Sequence, residues 1–186
     1  MAEVYSRAAI RTRRIILNAF CTLLEEKDFS DIRIADILEA AQVSKGTFYN
    51  HFLDKYDLAS KAVAAFLEDY ENYLSTVRAT DARSQADLIV CNFMNRHRSQ
   101  YRALTNLREK EVHFHDLIYD FQIQYYHRHA LASSNNTALE ALQFASQHNM
   151  ILRYMMSLDH LVRPEDIVQV NRAIAAISGN MLRREK

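Results

Sequence analysis

Two glycines and one proline punctuate 186 residues. Tight turns and sheets draw on those residues often, and helix interiors avoid them. So sparing a use of both predicts an all-α chain. The apolar fraction, 49%, is that of a globular protein with a real core. The length allows one large domain or two small ones.

Apolar spacing places the helices. Ile16, Phe20, Leu23 and Leu24 share one face of a first helix over about 8–27. "DFSD" breaks it, and a short helix follows over Ile34–Ala41. Ser44 is a natural N-cap for a third helix with Phe48 and Phe52 as its buried face. Asp54 caps a long fourth helix, with Asp57 at the capping-box position. After the linker "RATDARS", Ser84 opens a fifth helix carrying Leu88, Ile89, Phe93 and Met94. A short sixth fits Tyr101, Leu104 and Leu107, and a seventh spans about Glu111–Ala132. "SSNNT" reads as a polar loop. Thr137 with Glu140 opens an eighth helix reaching Leu158, and Pro164 sits in the first turn of a ninth. The expected count is nine.

No run of about 18 apolar residues appears, the length a membrane-spanning helix needs. "MAEVYSRAAIRTRR" has no apolar signal core. Cys21 and Cys91 fall within helical patterns and read as small buried hydrophobes in a reducing compartment. A cytoplasmic protein is expected.

Acids and bases balance at 23 each, so net charge gives no argument for a polyanion. The distribution does. Arg7, Arg11, Arg13 and Arg14 stand against Glu3 alone in the first 14 residues, while 25–39 carry six acids against Lys27 and Arg33. A basic arm beside an acidic patch suits a chain that offers one surface to a polyanion.

Three short helices before a long one, with a tight turn between the second and third, form a helix-turn-helix over about 33–52. In that arrangement the third helix enters the DNA major groove. Gly46, just inside that helix, costs about 1 kcal/mol against Ala. Close approach of a backbone or base would offset the cost. Its neighbours carry matching chemistry. Ser44 and Thr47 offer hydroxyls to phosphate. Lys45 suits guanine and Asn50 adenine. Tyr49 and His51 are polar-tipped rings that can lie on the backbone. Arg33 and Lys55 add phosphate charges.

The stretch "SDIRIADILEAAQVSKGTFYNHFLDKYDL" resembles the N-terminal domain of the TetR family of bacterial transcriptional regulators, with "VSKGTFYNHF" and "DKYDL" as the specific parts. The resemblance covers roughly residues 9–60. It implies a DNA-binding domain over 1–53 and a ligand-binding and dimerisation domain over 54–186. The chain departs from the family pattern at three places: Gln42 where glycine is usual in the turn, Leu38 where a small Ala is usual, and Arg33 where Thr commonly caps the second helix.

"MILRYMMSLDHL" and "DIVQVNRAIAAI" hold more large apolar residues than one core-facing stripe needs. A homodimer through the last two helices, about 138–158 and 164–183, is therefore expected. Phe66, Tyr70, Phe93, Tyr101, Phe114, Phe121 and Tyr125 are candidates to line an effector pocket; that pocket rests mainly on the resemblance. His113 and His115, like His127 and His129, are two apart and face different ways on a helix. No metal site and no cofactor are expected.

No phosphate loop, nucleophile elbow or Cys–His pair is present, so no enzyme is expected. The expected function is a homodimeric regulator, more a repressor than an activator, released from a palindromic operator by a small ligand. The alternative is a DNA-bound coactivator, or a regulator switched by a protein partner, with no small-molecule pocket.

Overall fold

Helices dominate the computed structural model, which describes residues 6–129 and 137–183, with the side chains of the last stretch described up to residue 176. Eight α-helices run in order: α1 (Arg7–Glu26), α2 (Ile34–Ala41), α3 (Lys45–Tyr49), α4 (Lys55–Arg78), α5 (Arg83–Leu104), α6 (Phe114–His129), α7 (Thr137–Ser157) and α8 (Pro164–Arg183). A 3-10 turn at Phe29–Asp31 joins α1 to α2. Strands β1 (Arg108–Glu109) and β2 (Val112–His113) pair antiparallel, Arg108 opposite His113 and Glu109 opposite Val112. The polar loop expected at 133–136 and the side chain of Met181 lie outside the described residues.

The chain divides into two compact units, one of residues 1–69 and 99–121, the other of 70–98 and 122–186. The helix-turn-helix thus shares its unit with the start of α4 and the segment 99–121.

In the first unit, Ile16, Phe20 and Leu24 of α1 are fully buried with Ile32, Ile37, Phe48, Phe52 and Leu58. The Ser6 hydroxyl caps α1 by accepting from the Ala9 N–H at 3.2 Å. Arg7, Arg11 and Arg14 therefore stand on the exposed face of helical turns, so the basic arm is helical from Arg7 onward. Asn106 Nδ2 donates to the Leu24 carbonyl at 2.7 Å, and Ser99 Oγ to Glu25 Oε1 at 2.6 Å. Both fasten segment 99–121 to the end of α1.

The expected break before Tyr101 is absent. Residues 95–100 hold no glycine or proline, so α5 runs on to Leu104. Tyr101 and Leu104 of the expected sixth helix thus lie in α5, and the β-hairpin at 108–113 takes the expected start of the seventh and delays α6 to Phe114. The Phe114 N–H donates to the Leu107 carbonyl at 3.1 Å and closes the hairpin. Among the described residues the count is eight helices rather than nine.

In the second unit, the polar residues near the expected break act as fasteners. Asn95 pairs with both backbone groups of Val162, at 2.9 and 2.7 Å, and Arg98 Nη1 donates to the Leu158 carbonyl at 3.0 Å. The α7–α8 connection is held at two points. At the start of α8, Asp166 accepts from the Arg163 N–H at 2.8 Å and faces His160 Nε2 at 3.1 Å. These bonds draw the Asp166 carboxyl below the usual carboxylate range, against the opposing pull of burial.

Both cysteines are free thiols. Burial, with Glu25 adding to it, pushes Cys21 up to about 12, and burial also raises Cys91. A thiol held protonated behaves as a small hydrophobe. Among the described residues no helix is long and apolar enough to cross a membrane.

Candidate nucleic-acid interface

The corner between α2 and α3 depends on one residue in an unusual conformation. Gln42 sits at φ 52°, ψ 45°, the one positive φ among described non-glycine residues. Its N–H donates to the Glu39 carbonyl at 3.1 Å, and that of Val43 to Leu38 at 3.1 Å. This pair of bonds is the Schellman helix ending, which favours glycine at the left-handed position. A side chain there costs roughly 1–2 kcal/mol. The turn keeps its left-handed backbone without the usual glycine.

Asp36 opens α2 by accepting from the Arg33 N–H at 2.8 Å. This bond, the largest influence, sets the Asp36 carboxyl below its usual range. A guanidinium has no acceptor, so Arg33 cannot return the bond that Thr would make. Its exposed side chain stands 3.5 Å from Asp36.

Ser44 caps α3. Its Oγ accepts from the Thr47 N–H at 3.0 Å and lies 2.8 Å from the Thr47 hydroxyl. The two hydroxyls expected to meet phosphate are thus coupled to each other in the unbound chain. Phe48 and Phe52 turn inward, buried, with ring centroids 5.6 Å apart. Lys45, Gly46, Tyr49 and Asn50 turn outward and are exposed. The Tyr49 ring is 45% exposed and rests edge-on against Phe48 at 5.4 Å. Contact with the buried Phe48 ring thus braces an exposed tyrosine.

A Cβ at Gly46 would meet only Ser44 Oγ, at 3.8 Å, an ordinary contact. Nothing in the chain's own packing requires glycine there. His51 is half-buried, its ring beside Phe52 and its Nδ1 enclosed without a partner. It is less available than the spacing suggested.

Lys55 differs most from expectation. Its ammonium donates to the carbonyls of Phe29, Ser30 and Ile32 at 3.0, 3.1 and 3.0 Å. A phosphate contact would have to break at least one of these bonds. Sequence spacing does not show partners 23 to 26 residues away. Nor did it single out Lys61, which donates to the His51 carbonyl at 3.1 Å and to Asp57 Oδ2 at 2.8 Å. The Asp57–Lys61 half was legible as an i, i+4 pair. Asp57 also accepts from the Leu53 N–H at 2.9 Å. Burial pulls its carboxyl up, but Lys61 and Leu53 outweigh that and leave it below its usual range. Asp54 caps α4, accepting from the N–H groups of Tyr56 and Asp57 at 2.8 Å each.

The residues expected to line an effector pocket pack against other rings within each unit. In the first unit Phe66, Tyr101 and Phe114 are buried against one another, with centroids 5.5 to 6.0 Å apart. Phe121 is half-buried. In the second unit Tyr70 and Phe93 pack with Tyr73 and His97. Tyr125 packs with His129 and Phe144. Gln122, fully buried, donates to the Tyr70 hydroxyl at 3.0 Å, and its Oε1 has no partner. Tyr119 and Tyr126 are half-buried, and Tyr126 donates to Glu140 at 2.6 Å.

The second unit also carries an open groove of about 270 Å³ lined by Met150, Ile151, Tyr154, Val170, Ala173 and Ile174, from α7 and α8. Met150 and Tyr154 are 50% and 42% exposed.

Comparison with known proteins concentrates on the helix-turn-helix. Residues 16–62 match the family model of the bacterial regulatory proteins, tetR family. Over 53 residues, 28% of this chain and 14% of its relative, the sequence is 38% identical to the uncharacterized HTH-type transcriptional regulator YxbF of Bacillus subtilis (strain 168). Over 54 residues, 29% of each protein, it is 33% identical to the HTH-type dhaKLM operon transcriptional activator DhaS of Lactococcus lactis subsp. lactis (strain IL1403). The match thus spans under a third of either relative. The crystal structure of a gamma-butyrolactone receptor (ArpA-like protein) superposes with a TM-score of 0.53 at 16% identity, over 92% of this chain and 99% of that one. At that identity the likeness is one of fold. Residues 16–62 are thus similar to the helix-turn-helix segment of the bacterial regulatory proteins, tetR family.

Proposed function

We propose that this chain is a DNA-binding transcriptional regulator that reads an operator through α3. The observation that carries the reading is the outward face of α3. Lys45, Tyr49 and Asn50 are exposed there beside a glycine for which the chain's own packing gives no reason. Ser44, Thr47, His51 and Arg33 flank that face as backbone-positioning groups. Lys45 and Asn50 are the base-reading pair. The DNA-binding domain is taken as residues 1–53, and 54–186 as the regulatory part.

The regulator acts as a homodimer through α7 and α8. Support comes from the exposed apolar groove between those two helices. A two-fold pair would present two recognition helices for half-sites about 34–36 Å apart. Repression, relieved by a small apolar or aromatic effector, is the mode of control proposed. The effector would sit among Tyr70, Phe93 and Tyr125, where the unpartnered Gln122 Oε1 offers an acceptor. It can act only through different affinity for two dimer geometries.

Selection from random duplexes at two salt concentrations tests the reading. Enrichment of a two-fold symmetric sequence, with binding that weakens as salt rises, is expected. Failure to enrich any sequence would overturn it.

A further inference from the structure

We infer that a proton bound by His160 ties the segment just after α7 to the start of α8, and that the α7–α8 connection loosens when this proton is lost. Both ring nitrogens of His160 face carboxylates. Nδ1 stands 3.0 Å from Asp159 Oδ1, and Nε2 stands 3.2 and 3.1 Å from the two carboxylate oxygens of Asp166. An ionised carboxylate is an acceptor only, and a neutral imidazole carries one N–H and one lone pair. The neutral ring can therefore serve one of the two carboxylates and must turn its lone pair on the other. Only the imidazolium, with an N–H on each nitrogen, donates to both.

The surrounding charges favour that form on balance. Asp159 first, then Asp166, hold the imidazole proton above the usual histidine range, against burial and the Arg163 charge. From α5, Arg98 donates to the Leu158 carbonyl at 3.0 Å, and its charge favours the ionised form of Asp159. Asp87 of α5 and Glu165 of α8 act with Asp166 on the Cys91 thiol, which burial already holds protonated. Residues 154–157, the last turn of α7, include no Asp, Glu, His, Lys or Arg.

The two ties are unequal. The Asp159 side chain is 99% exposed and that of Asp166 is 11% exposed. Water replaces the ring far more readily at Asp159 than at Asp166, whose other partner is the Arg163 N–H. Loss of the proton therefore leaves an N–H on Nε2, pointing at Asp166, and frees Asp159. A histidine whose proton is held more tightly in the folded chain stabilises it fully below the ordinary value of about 6.5. That contribution fades as pH rises through the folded-state titration. Both carboxyls are held below their usual range, so their share is lost only in acid. Between those limits the connection is tightest, and the two helices it joins line the apolar groove.

The experiment follows the imidazole nitrogen signals by NMR across a pH series, for wild type, His160→Gln and Asp159→Asn, with His160→Gln identifying the His160 signals. Melting temperatures are measured on the same proteins at about pH 6 and about pH 9, on either side of the titration. We expect His160 to titrate above the ordinary histidine value, and to keep its remaining proton on Nε2 once neutral. Asp159→Asn preserves the shape and removes the charge, so the His160 titration should shift downward. His160→Gln should melt below wild type at the lower pH, with the gap narrowing at the higher. A His160 titration at or below the ordinary value would overturn the inference. So would an Asp159→Asn titration like that of wild type, or a melting gap that does not change with pH. If His160→Gln does not fold, Asp159→Asn decides: one histidine titration must move downward, and none moving overturns the inference.

Discussion

The outward face of α3 and the groove between α7 and α8 are both surfaces their own units do not use, and they differ in kind. The first is polar and small: Lys45, Gly46, Tyr49 and Asn50, with Phe48 and Phe52 turned the other way. The second is apolar: Met150, Ile151, Tyr154, Val170 and Ile174. A polar face with a glycine suits a hydrated, charged, groove-shaped partner that must come close. An apolar face on two long helices suits a like surface that excludes water. The contrast teaches that unused residues identify a partner by what they lack. On α3 bulk is missing at one position, and on α7 and α8 charge is missing along a groove.

A charge placed in the apolar groove should break the comparison most severely. Met150→Asp leaves the folded chain nearly untouched, because Met150 is half exposed. An unpaired charge in an interface costs about 3 kcal/mol or more. Sedimentation should show a monomer with unchanged helix content, and operator affinity should fall with it. A variant that stays dimeric would remove the groove from the interface.

Substitutions on the polar face should separate reading from gripping. Lys45→Ala should relax preference at one position of each half-site by about 1–3 kcal/mol. Tyr49→Phe should weaken all duplexes alike, by about 1 kcal/mol. Both are checked by repeating the duplex selection with each variant. Unchanged preference in Lys45→Ala would show that it reads no base.

The smallest effect belongs to the turn behind that face. Gln42→Gly removes a left-handed side-chain penalty of about 1–2 kcal/mol, part of which glycine returns through unfolded-state entropy. The net gain should be at most about 1 kcal/mol, a rise in Tm of about 2–4 °C. A lower Tm would mean that the Gln42 side chain contributes contacts that glycine cannot replace.

Much of this was legible in the sequence, for identifiable reasons. The bounds of α2, the Ser44 cap and the inward Phe48 and Phe52 follow from short-range periodicity and capping, and the structure has them. The left-handed turn at Gln42 was signalled only by the family resemblance, in which glycine is usual at that position. Segment 95–113 was misread: a separate sixth helix was expected on Tyr101, Leu104 and Leu107 and a seventh from Glu111, whereas α5 runs on to Leu104 and a hairpin precedes α6. Asn95 and Arg98 hold Val162 and Leu158 from within that longer helix. The bonds of Lys55 were not legible either. Its carbonyl partners lie more than 20 residues away, and no local pattern announces them. Of the aromatic residues offered as pocket-lining candidates all but Phe121 are buried, and periodicity does not say which rings meet.

The most direct test of the central claim is operator affinity and thermal stability measured together for wild type and Gly46→Leu. The fold has room for a side chain there, and leucine is the better helix former by roughly 1 kcal/mol. The account predicts a Tm at or above that of wild type and the loss of operator binding. A variant that binds the operator like wild type would contradict it, because the glycine would then serve no approach to DNA.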